Sequence, residues 1–140
     1  MENNENKSKI FTNPIFLYPG SVFLGPMPGV DHLKFYIIAG ISRNRLCICS
    51  VVINSNINQF ILKRPHLLKH QLEISPDKYS FLSHVSYINC ATPFKLNSNI
   101  FANSDMKYVG ILDKTDLQEV RRHIIGSGML TAEEIEMFFS

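Results

Sequence analysis

Residues 18–53 read YPGSVFLGPMPGVDHLKFYIIAGISRNRLCICSVVI, and this stretch decides the fold. Three apolar runs are separated by two clusters of turn residues. Pro19-Gly20 and the Gly25-Pro26-Met27-Pro28-Gly29 group isolate a first strand, Ser21 to Leu24. A second follows from about Lys34 to Ile41, rich in β-branched and aromatic side chains. Ser42 to Arg45 reads as a tight turn, with Asn44 suited to positive φ. Leu46 to Ile53 is the third strand. Short connections of this kind predict an antiparallel meander.

The pattern continues outward. Asn54 to Phe60 is a polar loop leading to a strand near Phe60-Ile61-Leu62. Pro65 disfavours a central strand, so Lys63 to His70 reads as an edge strand or an excursion, returning at Leu72 to Ile74. Ser75 to Leu82 is a turn or short helical turn. His84 to Phe94 alternates as a strand, with Tyr87 facing the core, and Lys95 to Lys107 is an Asn/Ser-rich loop. Tyr108 to Leu112 is the last strand. The period then changes. Thr115 and Gln118 match a capping box, and Leu117, Val120 and Ile124 share one helical face. Gly126 and Gly128 stop this helix. Thr131 and Glu134 form a second box before Ile135, Phe138 and Phe139.

The expected architecture is mainly β with C-terminal α. It is a small SH3-like antiparallel barrel of about six to seven strands plus one or two C-terminal helices. The chain has 140 residues, enough for one domain, and 45% of them are hydrophobic. Residues 1–17 read as a flexible tail, and 18–140 as the single domain. The net charge of +2 is too small to mark a nucleic-acid binder by itself. No signal peptide is read at the start, and no apolar run approaches the ~20 residues that span a bilayer, so the expectation is a soluble cytoplasmic protein without a membrane partner. The three cysteines have no disulfide or zinc spacing and read as small buried hydrophobes in a reducing compartment. No metal or other cofactor is expected. Phosphate loops and the usual hydrolase signatures are absent.

The order of these stretches resembles the MazF/PemK growth-inhibitor toxins. The stretches are YPGSVFLGPMPGVDHLKFYIIAGIS, LCICSVVINSN, LSHVSYINCATPF and YVGILDKTDLQEVRRHI, which cover most of residues 18–125. The resemblance implies an SH3-like barrel that cleaves single-stranded RNA without metal, forms a homodimer and pairs with an antitoxin protein. The family's Arg-Pro pair at the start of the second strand falls here on His32-Leu33 or Leu33-Lys34, and no arginine stands there. Its hydroxyl residue at the end of the third strand falls on Asn54 or Ser55. A non-catalytic SH3-like barrel binding a protein or nucleic-acid partner is the alternative.

RNA cleavage through the 2′-OH needs a proton acceptor and a cation aimed at the phosphate. His32 and Lys34 supply these types, and residues two apart on a strand share a face. Ser55 adds a hydrogen-bond donor. Against this, polar residues end Pro/Gly loops whatever the function. Lys63, Arg64, Lys69 and His70 form the densest basic stretch, with His66, and are the candidate RNA contacts. A solvated edge strand would carry the same residues. His66 and His70 have a metal-friendly spacing only on a helix, which Pro65 opposes. His84 and Ser86 lie too far apart on a strand to form a nucleophilic pair. Arg121-Arg122-His123 reads as a solvated helix face or as part of a dimer or antitoxin interface.

Overall fold

The computed structural model describes residues 17–140. The proposed tail lies outside the described residues, apart from Leu17, which is buried. Strands β1 (Ser21–Gly25), β2 (Lys34–Ile41) and β3 (Cys47–Asn54) form the expected meander. Gly20 and Gly29 bracket β1 with φ of +96° and +78°, conformations open to glycine without a Cβ penalty. In the β2–β3 turn the positive φ falls on Arg45, at 65°, rather than on Asn44. Asn44 instead uses its side-chain oxygen, accepting from Ser42 Oγ at 2.7 Å and Leu46 N at 3.0 Å.

The strand expected at Phe60–Leu62 is a helical turn, α1 (Gln59–Leu62). Asn58 caps it by accepting from Ile61 N at 2.9 Å. The excursion from Lys63 to His70 is likewise helical, α2 (Pro65–Leu68), with Pro65 in the first turn where its missing N–H is harmless. Strand β4 (Gln71–Ile74) returns to the sheet. Strand β5 (Ser86–Asn97) runs further than expected, into the stretch read as loop, and is followed by a 3₁₀ turn at Ser98–Ala102. After β6 (Lys107–Ile111) come α3 (Lys114–Gly126) and α4 (Ala132–Phe139). The cap of α3 is Asp113, not Thr115, and it accepts from Asp116 N at 2.8 Å. The Thr131–Glu134 box forms as expected.

The fold is mainly β: one six-stranded antiparallel sheet, ordered β4-β5-β3-β2-β1-β6, with C-terminal helices. Its ladder is not closed by hydrogen bonds, and β4 and β6 are its edges. Residues between β4 and β5 bridge to β6. Phe81 packs on Gly110, where an added Cβ would meet its ring at 3.0 Å. The Tyr79 hydroxyl accepts from Asp113 N at 3.1 Å and donates to the Asp116 carboxylate. Lys78 spans both carboxylates, at 2.7 Å from Asp113 and 2.9 Å from Asp116.

The two faces of the sheet are covered differently because alternate residues point to opposite sides. Ile37, Val51, Ile88 and Cys90 pack against Val120 and Ile124 of α3 and Phe138 of α4. Fully burying one such aliphatic chain is worth roughly 1.5–3 kcal/mol. Gly40 lets α4 sit this close, since a Cβ there would lie 2.5 Å from the Phe138 carbonyl oxygen. On the other face Tyr36, Ile38, Ile48 and Val52 pack under Phe101 and Met106. Cys49 and Cys90 are buried, but Cys47 is exposed at the end of β3. Among the described residues no helix is long and apolar enough to cross a membrane.

Candidate functional site

Strand register carries a row of side chains across the sheet. Asn54 of β3 pairs with Tyr87 of β5, and Tyr87 with Glu73 of β4. Lys34 of β2 joins the row by donating from its ammonium to the Asn54 side-chain oxygen. The next residues along, Phe35, Ile53, Ile88 and Leu72, belong to the helix-covered core. By alternation, Lys34, Asn54, Tyr87 and Glu73 therefore lie on the opposite face. A second row on that face holds Asn89 and Gln71, joined at 2.8 Å. Gln71 also donates to the Leu67 carbonyl at 3.3 Å, which ties α2 to the edge of this face. The result is a polar strip beside the second core.

Lys34 is half-buried, and loss of solvation holds its ammonium below the ordinary lysine pKa. The structure brings Lys34 to Asn54 at one end of the strip, and Ser55, exposed, is the next residue in the chain. His32 stands in the bend before β2, not on the strand. The alternation that would put it on the face of Lys34 does not extend that far. Two residues of chain keep their Cα atoms within about 7 Å of each other. The His32 side chain is 66% exposed, and its Nδ1 lies 3.0 Å from the Asp31 carboxylate, whose pKa it lowers by hydrogen bonding.

The basic stretch divides. Lys63 and Lys69 are exposed. Arg64 folds back on its own excursion, its guanidinium 3.6 Å from the centre of the Phe60 ring and donating to the Phe60 carbonyl at 2.9 Å. His70 does not belong with this surface. It is 7% exposed, and its Nδ1 lies 3.0 Å from Nδ1 of His123 on α3. The helical triplet also divides, because successive residues on a helix point about 100° apart. Arg122 faces out and pairs with Glu119 at 2.7 Å. Arg121 turns in and donates from Nε to the Ala39 carbonyl at 2.9 Å. Ser86 donates to the backbone carbonyl of His84 at 3.0 Å, a structural bond. Tyr87, expected in the core, is on the face away from Ile88 and Cys90.

Sequence reading passed over Tyr87, Asn89, Gln71 and Glu73 as site residues. The alternation in Ser86-Tyr87-Ile88-Asn89-Cys90 puts Tyr87 and Asn89 on one face without saying which face is covered by the helices. Among the described residues no group of three or more His, Cys, Asp or Glu could hold a metal ion. In comparisons with known proteins, no family model matches the chain and no curated protein matches it.

Proposed function

We propose that the protein is a toxin-like endoribonuclease that cleaves single-stranded RNA without metal. The observation that carries this reading is the bond from Lys34 to Asn54 at the end of a polar strip, with Ser55 next in the chain after Asn54 and the His32–Asp31 pair just before Lys34. With Asp31 accepting from Nδ1–H, His32 keeps a lone pair on Nε2. That nitrogen takes the 2′-OH proton as the 2′-oxygen attacks the adjacent phosphorus. The bond to the 5′-oxygen breaks, leaving a 2′,3′-cyclic phosphate, and the leaving oxygen takes a proton from solvent. Lys34 stabilises the charge gathering on the phosphate oxygens, and Ser55 donates a hydrogen bond to them. Lys63 and Lys69 would meet flanking phosphates. The reading brings with it a homodimer, an antitoxin protein as partner and a cytoplasmic location. It needs no cofactor.

The second reading, a non-catalytic barrel-like domain that binds RNA or a protein, is favoured by one observation. The Lys34 ammonium is already engaged by Asn54. Incubation of a long single-stranded RNA with purified protein in a metal chelator separates the two. The endoribonuclease reading expects cleavage that falls roughly 100-fold or more in His32→Ala and Lys34→Ala. Intact RNA with salt-sensitive binding supports the second reading, and intact RNA overturns the first.

A further inference from the structure

Away from the strip, two histidine rings meet. His70 ends the basic excursion, and its carbonyl accepts from Cys90 N in β5 at 3.0 Å. His123 lies on α3 between Val120 and Ile124, both fully buried. The two Nδ1 atoms are 3.0 Å apart and the rings cross at 76°, with centroids 5.2 Å apart. Two nitrogens at that distance share one hydrogen.

The surroundings assign its direction. Arg122 Nη2 lies 3.5 Å from His123 Nε2, and an arginine can only donate. That contact matches a His123 ring that carries its hydrogen on Nδ1 and donates to Nδ1 of His70. His70 then carries its hydrogen on Nε2, in keeping with a hydrogen bond to the Gly126 backbone that favours the protonated ring. The chain runs from Arg122 through His123 and His70 to Gly126. A first extra proton can enter at His123 Nε2 by displacing the exposed Arg122, and the Nδ1 bond survives. A second must enter at His70 Nδ1, where it sets two N–H groups against each other.

We propose that His70 and His123 form a proton-operated latch, holding the C-terminal half of α3 to the end of the basic excursion at neutral pH and releasing it when acid charges both rings. Charged neighbours oppose protonation. Lys69 does so from the excursion, and Arg122 from α3, while Glu119 on α3 favours it and is itself held by Arg122. Cys90 contributes no charge, because burial pushes its thiol up to about 12. Desolvation is the largest cause lowering both histidine pKa values. A folded pKa below the unfolded value of about 6.5 fixes the sign: the latch is fully present above that pH and is lost as pH falls through the folded values.

Amide hydrogen exchange on the whole chain tests this, with protection corrected for the intrinsic rate. Two reporters flank the latch: Cys90 N–H, bonded to His70, and Ser127 N–H, bonded to the His123 carbonyl at 3.0 Å. Between about pH 7.5 and about pH 5, across the histidine range, protection at both should fall, while amides of the β2–β3 ladder hold. The opening equilibrium gains up to about ten-fold per pH unit for each proton taken up. In His123→Gln only the buried His70 is left to take up a proton, so the dependence should fall to at most about ten-fold per pH unit, the one-proton limit. Flat protection in the wild type, or the same fall in the variant, overturns the latch. Should the variant not fold, the histidine ring signals of the wild type decide. Two rings titrating independently at the ordinary histidine value overturn it, and depressed, coupled titration supports it.

Discussion

Tyr79 shows how one side chain can hold two distant parts of a small domain together. Its hydroxyl accepts from the Asp113 amide and donates to Asp116, while its ring lies in the first core. Burial and the neighbouring Asp116 push its pKa up to about 12, so it remains a donor throughout the physiological range. Tyr79→Phe keeps the ring and removes both bonds. We expect a loss of about 1–2 kcal/mol in a urea melt, with little change in the slope of the transition. The thiols separate just as cleanly. Cys47 is exposed, whereas Cys49 and Cys90 are buried with pKa values pushed up to about 12. A thiol reagent should label one cysteine rapidly in the native protein and all three in denaturant. Fast labelling of two or more would contradict the packing of β3 on β5.

At the scale of elements, what could be read from the sequence follows from how locally each element is determined. Strand β2 begins and ends where the residues indicate, because a run of Phe, Tyr and Ile lies between strong turn signals. The two helical turns α1 and α2 could not be read that way. Each is four residues long, too short for a hydrophobic period, and each is set by a single residue at its start, Asn58 or Pro65. The cap of α3 lies two residues before Thr115, because Asp113 and Thr115 are both good caps and only the backbone chooses between them. Asp113→Ala should therefore destabilise by about 1 kcal/mol and Thr115→Ala by much less, in matched thermal melts. The site follows the same logic. Lys34 was legible as a cation at a strand start. Tyr87 was not, because in Ser86-Tyr87-Ile88-Asn89-Cys90 either set of alternate residues could face inward until the helix-covered face is known. His70 was hidden among four other basic residues, and only the packing of α3 separates it from them.

For the whole molecule, the sheet depends on α4 lying flat against β2. Gly40 permits this, since any side chain there would press into the Phe138 backbone. Gly40→Ala should lower stability by roughly 1–3 kcal/mol and loosen the C-terminal helix first, which limited proteolysis would reveal as early cleavage near α4. The layout also divides the molecule by role. Helices cover one face, and the other face keeps a polar strip that runs from beside the second core onto the edge strand β4.

The pairing of β1 with β6 has a kinetic consequence. Ser21 lies opposite Ile111, so the first strand of the domain finds one of its neighbours only after nearly all of the sheet has been made. The β1–β2–β3 meander can form from local contacts, but β1 stays a bare edge until β6 arrives across a long loop. Folding is then slow for a chain of this size, on the order of milliseconds to seconds. During synthesis an incomplete chain would carry Lys34 and Asn54 on an unfinished sheet. Only the docking of the last strand covers the free edge of β1 beside it.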